Sequence, residues 1–134
     1  MEGKPRVLIA DDNPDILILL RTNLRAAGFE SIEAGNGQVA LERIDQDRPD
    51  IVLLDLMMPV LDGWGVLDAL RGRPDSPPVI VVSASDSSAN VERAREMGVA
   101  AYVTKPFNLP ALVQLVATVA QRRTAERGAA HPTA

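Results

Sequence analysis

Short apolar runs recur along the chain: Val7-Leu8-Ile9, a looser run at 29–34, Ile51-Val52-Leu53-Leu54, Val79-Ile80-Val81-Val82, and a last one at 99–103. Unbroken runs this short suit strands buried on both faces better than helices. Between them the apolar positions fall three and four apart. Ile16, Leu17, Leu19, Leu20 and Leu24 form one such stripe, Val39, Ala40, Leu41 and Ile44 a second, and Val66, Leu67 and Leu70 a third. Leu109, Leu112, Leu115, Val116 and Val119 line a helix predicted over 108–122, whereas the helix predicted over 87–97 is mostly polar. Spacing of this kind gathers apolar side chains on one helical face.

The punctuation agrees. Asn13 can cap a helix that starts at Pro14 and is closed by Gly28, and Asp62 can cap the helix after the third strand. Gly35-Asn36-Gly37 reads as a turn, and Arg73-Pro74-Asp75-Ser76-Pro77-Pro78 as a breaker. Pro110 is tolerable because it falls in a first helical turn. Five strands alternating with five helices predict an α/β protein with a parallel sheet and right-handed, helix-sized crossovers. The 29–34 run is the most polar and belongs at a sheet edge. Residues 123–134, without a clear apolar face, read as frayed helix passing into disorder.

Four of the five predicted strands end in reactive polar groups: Asp11 and Asp12, Asp55, Ser83, and Lys105. In a parallel α/β sheet the carboxyl ends of the strands share one rim, where ligands bind. Each group alone has a plainer reading. Asp55 would be a strand cap, Asp11 a helix cap, Lys105 a solvated charge and Ser83 a strand-end hydroxyl. Together, three carboxylates at one rim repel each other and call for a cation. Hard oxygen ligands favour magnesium over zinc or iron, and Lys105 with Ser83 suits phosphoryl oxygens.

Composition narrows the classes further. At 134 residues the chain suits one domain, and the absence of cysteine fits a reducing cytoplasm. A net charge of -4, with one Tyr, one Trp and two Phe, argues against direct nucleic-acid binding by this segment. The N-terminus lacks a signal peptide's apolar core, and no apolar run is long enough to cross a bilayer, so a soluble, cytoplasmic location is expected.

Asp11-Asp12, Asp55 with Met58-Pro59 and Asp62-Gly63, Ser83-Ala84, and Tyr102-Val103-Thr104-Lys105-Pro106-Phe107 resemble, as a joint pattern, the receiver domain of two-component response regulators. The match spans about 6–122, so 1–122 is expected to be the receiver and 123–134 a tail. The resemblance implies a flavodoxin-like three-layer sandwich with strand order 2-1-3-4-5, a family order that the general rule for open sheets itself illustrates with a member of this family. It implies Asp55 as phosphoacceptor, with Mg2+, or Mn2+ in its place, held by Asp12, Asp55 and the Met57 backbone carbonyl, and by Asp11 through water. Lys105 and Ser83 would hold the phosphoryl group, and Ser83 with Tyr102 would form the switch. The Lys105–Pro106 peptide is usually cis in this family. Ser83 stands where Thr is commoner, losing a methyl that restricts the rotamer. Met57 and Ser85 occupy positions that influence access of the hydrolytic water, and apolar Met57 should neither position nor activate it.

Implied partners are a sensor histidine kinase or histidine phosphotransfer protein, and an output partner or effector of unknown kind. A homodimer through the face of the fourth helix, fifth strand and fifth helix is also admitted. No effector domain follows Arg122 in this sequence, which leaves open a stand-alone regulator or a receiver cut from a longer protein. Two other classes compete. A magnesium-dependent aspartyl phosphatase or phosphotransferase of the haloacid dehalogenase type would carry Asp-x-Asp after the first strand, where this chain has Asp11-Asp12-Asn13. A flavin carrier would need a hydroxyl- and glycine-rich phosphate loop there, and the acidic pair repels phosphate. Trp64 reads as surface packing and His131 as a solvated tail residue.

Overall fold

The computed structural model describes residues 3–130, the last four as backbone only; of the expected tail, residues 131–134, His131 among them, lie outside the described residues. The elements are β1 (Arg6–Ala10), α1 (Pro14–Ala26), β2 (Glu30–Ala34), α2 (Gly37–Asp47), β3 (Ile51–Leu54), α3 (Gly63–Leu70), β4 (Val79–Ser83), α4 (Ser88–Glu96), β5 (Ala101–Thr104) and α5 (Leu109–Ala130). All pairings are parallel, in the order β2-β1-β3-β4-β5, with the polar β2 at an edge. This is the flavodoxin-like order.

Alternation along the central strands divides the core in two. Ile51 and Leu53 of β3 and Ile80 and Val82 of β4 pack with Leu20 and Leu24 of α1 and Leu112 and Val116 of α5. Val52 and Leu54, with Val81, pack instead with Ala40, Val66 and Ala94 from α2, α3 and α4. Side chains that alternate at a period of two require a cover on each face, and two helices on one side and three on the other supply it. Among the described residues no helix is long and apolar enough to cross a membrane.

The cap residues act as their chemistry requires. Asn13, Asp62 and Ser87 each accept a backbone N–H of the first helical turn. Asn36, expected in a turn, also caps α2 through Val39 N–H at 2.9 Å. Two boundaries differ from expectation. β5 starts at Ala101 and not at 99, because the Val99 N–H still returns to the Ala94 carbonyl of α4 across Gly98, whose φ is +85°. α5 runs past Arg122 to Ala130. Arg123 donates to the Ser76 carbonyl at 2.8 Å and Thr124 to the Ala120 carbonyl at 3.1 Å, and strong helix formers continue the turn without an apolar stripe.

Candidate functional site

Asp11, Asp55 and Lys105 each follow directly on a strand, Ser83 closes β4 and Tyr102 lies within β5, and the sheet's backbone bonds hold the first three in place. Asp11 N–H donates to the Ala34 carbonyl at 3.0 Å, Asp55 N–H to Ala10 at 2.9 Å, and Lys105 N–H to Ser83 at 2.8 Å. The ladder thus extends one residue beyond the strands and sets their positions on rigid backbone. The Lys105–Pro106 peptide is cis.

Asp11 and Asp55 are 3% and 5% exposed, while Asp12 faces solvent. One carboxylate oxygen from each lies within 4.8 Å of the others. Lys105 Nζ reaches between the buried pair, 2.8 Å from Asp11 Oδ2 and 3.4 Å from Asp55 Oδ2. Asp11 Oδ1 accepts the Asn13 N–H at 2.9 Å, and Asp55 Oδ1 accepts the Met57 N–H at 3.2 Å. Burial pushes the Asp55 carboxyl up, and the neighbouring Asp11 charge adds to this. The Met57 N–H and Lys105 oppose it without cancelling it. Lys105 is also raised: burial alone would lower it, but its hydrogen bond and attraction to Asp11, with Asp55 behind, outweigh that.

These groups suit a hard divalent cation. Oxygens around octahedral magnesium sit about 3 Å apart in cis and about 4.2 Å in trans, so small side-chain rotations bring the three carboxylates into range. Asp11 already has both oxygens engaged, by Asn13 and Lys105. The bonds to the Asp55 oxygens are longer, 3.2 Å from Met57 and 3.4 Å from Lys105, so exposed Asp12 and Asp55 are the freer ligands.

Ser83 is fully buried at the end of β4, and its Oγ accepts the Ser85 N–H at 3.2 Å. Tyr102 on β5 is half-buried and donates its hydroxyl to the Ser85 carbonyl at 2.7 Å. Sequence placed Ser83 and Tyr102 near one another but offered no sign that Ser85 joins them. It also missed Asn90, whose side chain donates to Ser85 Oγ at 2.8 Å. The one available hint was its place in the first turn of a polar helix.

The loop from β3 to α3 carries Met57 and Val60 at 70% and 81% exposure. Val60 has a φ of +70°, an unusual state for a β-branched residue, and is bracketed by a 2.8 Å bond from Leu61 N–H to the Pro59 carbonyl. Gly63 allows the loop to close beside Asp55. A Cβ there would collide with the Asp55 carbonyl oxygen and stand 2.7 Å from Leu56 Cα. Gly63→Ala is therefore expected to destabilise the fold by about 2 kcal/mol or more, measured by urea unfolding, since backbone cannot yield as a side chain tip does. Trp64 lies under the Arg93 guanidinium, 4.0 Å from ring centroid to Cζ, and so links α3 to α4 at the surface.

A family model described as the response regulator receiver domain matches residues 7–117. The transcriptional regulatory protein PrrA of Mycobacterium tuberculosis is 43% identical over 119 residues, covering 89% of this chain and 51% of that protein. KdpE of the same organism, also a transcriptional regulatory protein, is 40% identical over 119 residues, covering 89% and 52%. The chain thus spans about half the length of the curated relatives it matches. Among solved structures, the receiver domain of the Francisella response regulator 1452 superposes with a TM-score of 0.84 at 36% identity, over 88% of this chain and 98% of that one. A family match across most of the chain, on a sheet of the same order and with the acidic rim in place, means that this protein belongs to the response regulator receiver domains.

Proposed function

We propose that this receiver accepts a phosphoryl group on Asp55 from a phosphohistidine of a sensor kinase or histidine phosphotransfer protein, and then presents an altered α4-β5-α5 face to an output partner. The observation that carries this reading is the convergence of Asp11, Asp12 and Asp55 with Lys105 set between the two buried carboxylates. An Asp55 carboxylate oxygen attacks phosphorus, the P–N bond breaks, and its electron pair leaves on the imidazole nitrogen. The product is an acyl phosphate. An ionised carboxylate needs no general base, so the chain's task is alignment and charge neutralisation.

Mg2+ bound by Asp12, Asp55 and the Met57 carbonyl, with Asp11 reached through water, would neutralise the phosphoryl oxygens. Mn2+ meets the same demands. Lys105 supplies the second positive charge at the rim, already aimed at the acceptor. Ser83 would exchange its Ser85 N–H bond for a phosphoryl oxygen, which is the link from chemistry to shape. Residues 1–122 would be the receiver unit, acting in the cytoplasm, and catalysis would be confined to the protein's own phosphorylation and dephosphorylation.

Incubation with acetyl phosphate and Mg2+ tests the reading. One hydroxylamine-labile phosphate per chain is expected; many turnovers on an external phosphate ester would exclude the switch. Metal binding has a separate readout. For a site with a Kd of about 1 mM, 10 mM Mg2+ adds about 1.4 kcal/mol, or about 5 °C in Tm for a domain of this size. Asp12→Ala should lose most of that rise while folding normally, since Asp12 is exposed.

A further inference from the structure

We propose that Asn90 is a positioning residue of the switch: by holding the Ser85 hydroxyl, it ties the start of α4 to the loop that carries the Ser83 hydroxyl. This inference rests on the phosphoryl-switch reading above. All three polar groups of Ser85 are gripped, and each principal grip comes from a different element. Its N–H goes to Ser83 Oγ of β4 at 3.2 Å, its carbonyl accepts the Tyr102 hydroxyl of β5 at 2.7 Å, and its Oγ accepts Asn90 Nδ2 of α4 at 2.8 Å. The Ser87 N–H adds a 3.4 Å contact to the same Oγ.

Asn90 is well placed for this task. Ser87 Oγ caps its backbone N–H at 3.3 Å, which fixes the helical turn from which the side chain reaches back five residues to Ser85. α4 also has little else to hold it. Ala94 is its one buried residue, and its other surface links include the Arg93 stack on Trp64 and the exposed Arg95–Glu92 pair within the helix. An element with so few buried contacts moves readily, so a single well-aligned polar bond has a large share in its placement. When Ser83 turns toward a phosphoryl group, the Ser85 N–H loses its partner and the loop shifts. Asn90 passes that shift to α4. Without the Asn90 bond, Ser83 and Tyr102 still respond, but α4 is left behind.

Hydrogen exchange across residues 84–96 tests the link, with and without acetyl phosphate and Mg2+, in the wild type, Asn90→Ala, Asn90→Asp, Ser85→Ala and the Asn90→Ala/Ser85→Ala double variant. In the wild type, phosphorylation is expected to change exchange over 88–96 by about fivefold or more. Asn90→Ala should take up the same single hydroxylamine-labile phosphate, yet show less than about a twofold change there. Asn90→Asp, whose carboxylate can accept the Ser85 hydroxyl, should keep at least about half of the response. Ser85→Ala should match Asn90→Ala, and the double variant should be no worse than either. A full α4 response in Asn90→Ala, additive single effects, or a wild-type α4 indifferent to phosphorylation overturns the proposal. No phosphate on the wild type removes the phosphoryl reading itself, and this inference falls with it; normal uptake with an unaltered α4 response in Asn90→Ala removes the inference alone. Should Asn90→Ala fail to fold, the same comparison stands on Asn90→Asp and Ser85→Ala, where loss of response in the former and retention in the latter is the overturning result.

Discussion

Asp55→Asn is expected to reduce phosphate uptake from acetyl phosphate by at least about 100-fold, because an amide is a very weak nucleophile beside a carboxylate. Folding should survive. The amide has the same shape, and its oxygen can still accept the Met57 N–H or the Lys105 ammonium. Thermal stability without divalent cations should stay level or rise. Asp55 is 5% exposed, and burial together with the Asp11 charge raises its pKa. A carboxylic acid whose folded pKa lies above its unfolded value holds its proton more tightly when folded, so its ionised form at neutral pH opposes folding. Removing that charge removes the opposition. The checks are phosphate stoichiometry by intact mass and a melting curve in EDTA. Undiminished phosphate on Asp55→Asn would move the acceptor elsewhere.

Lys105→Met carries the second large effect. Its ammonium is the counter-charge that the structure places on both Asp11 and Asp55, at 2.8 and 3.4 Å. Removing one partner of a buried pair costs about 3–5 kcal/mol; with the lysine side chain 19% exposed and water able to help, about 2–3 kcal/mol is expected in EDTA. For a domain of this size that is a fall of about 10 °C in Tm. Two recoveries follow from the cause. Mg2+ should stabilise Lys105→Met more than the wild type, because it supplies the missing positive charge, and Asp11→Asn placed on Lys105→Met should restore most of the loss. A melting temperature unchanged by Lys105→Met, or no recovery with Asp11→Asn, would show that the lysine does not compensate the pair.

Much of this site was legible in one dimension because the physics that made it visible is local. Asp55 stands directly after four apolar residues and four before Pro59, and such a run becomes a central strand in almost any α/β context. Asp11 and Lys105 likewise end apolar runs, so a parallel sheet had to bring them to one rim. The misses have a different origin. The pairing of Asp11 with Lys105, 94 positions away and the tightest side-chain contact of that carboxylate, left no mark in the sequence. No spacing rule reports which of two neighbouring carboxylates a lysine selects. The start of β5 was placed two residues early because apolar Val99 continues the run, although its N–H still serves the exit of α4. The end of α5 was placed too early because helix formers without an apolar face leave no periodic mark.

The chain's own pattern determined the five strand and helix pairs, the polar edge strand β2, the capping by Asn13 and Asp62, and the set of acidic, hydroxyl and cationic groups at the carboxyl rim. Those follow from apolar spacing and capping chemistry within a few residues. Only the tertiary structure decided that Asp11 and Asp55 share Lys105, that Gly63 must lack a side chain to pass the Asp55 backbone, and that Ser85 is held at once from β4, α4 and β5. Each of these depends on distances between elements far apart in the chain, and such distances are set by how the two faces of the sheet are packed.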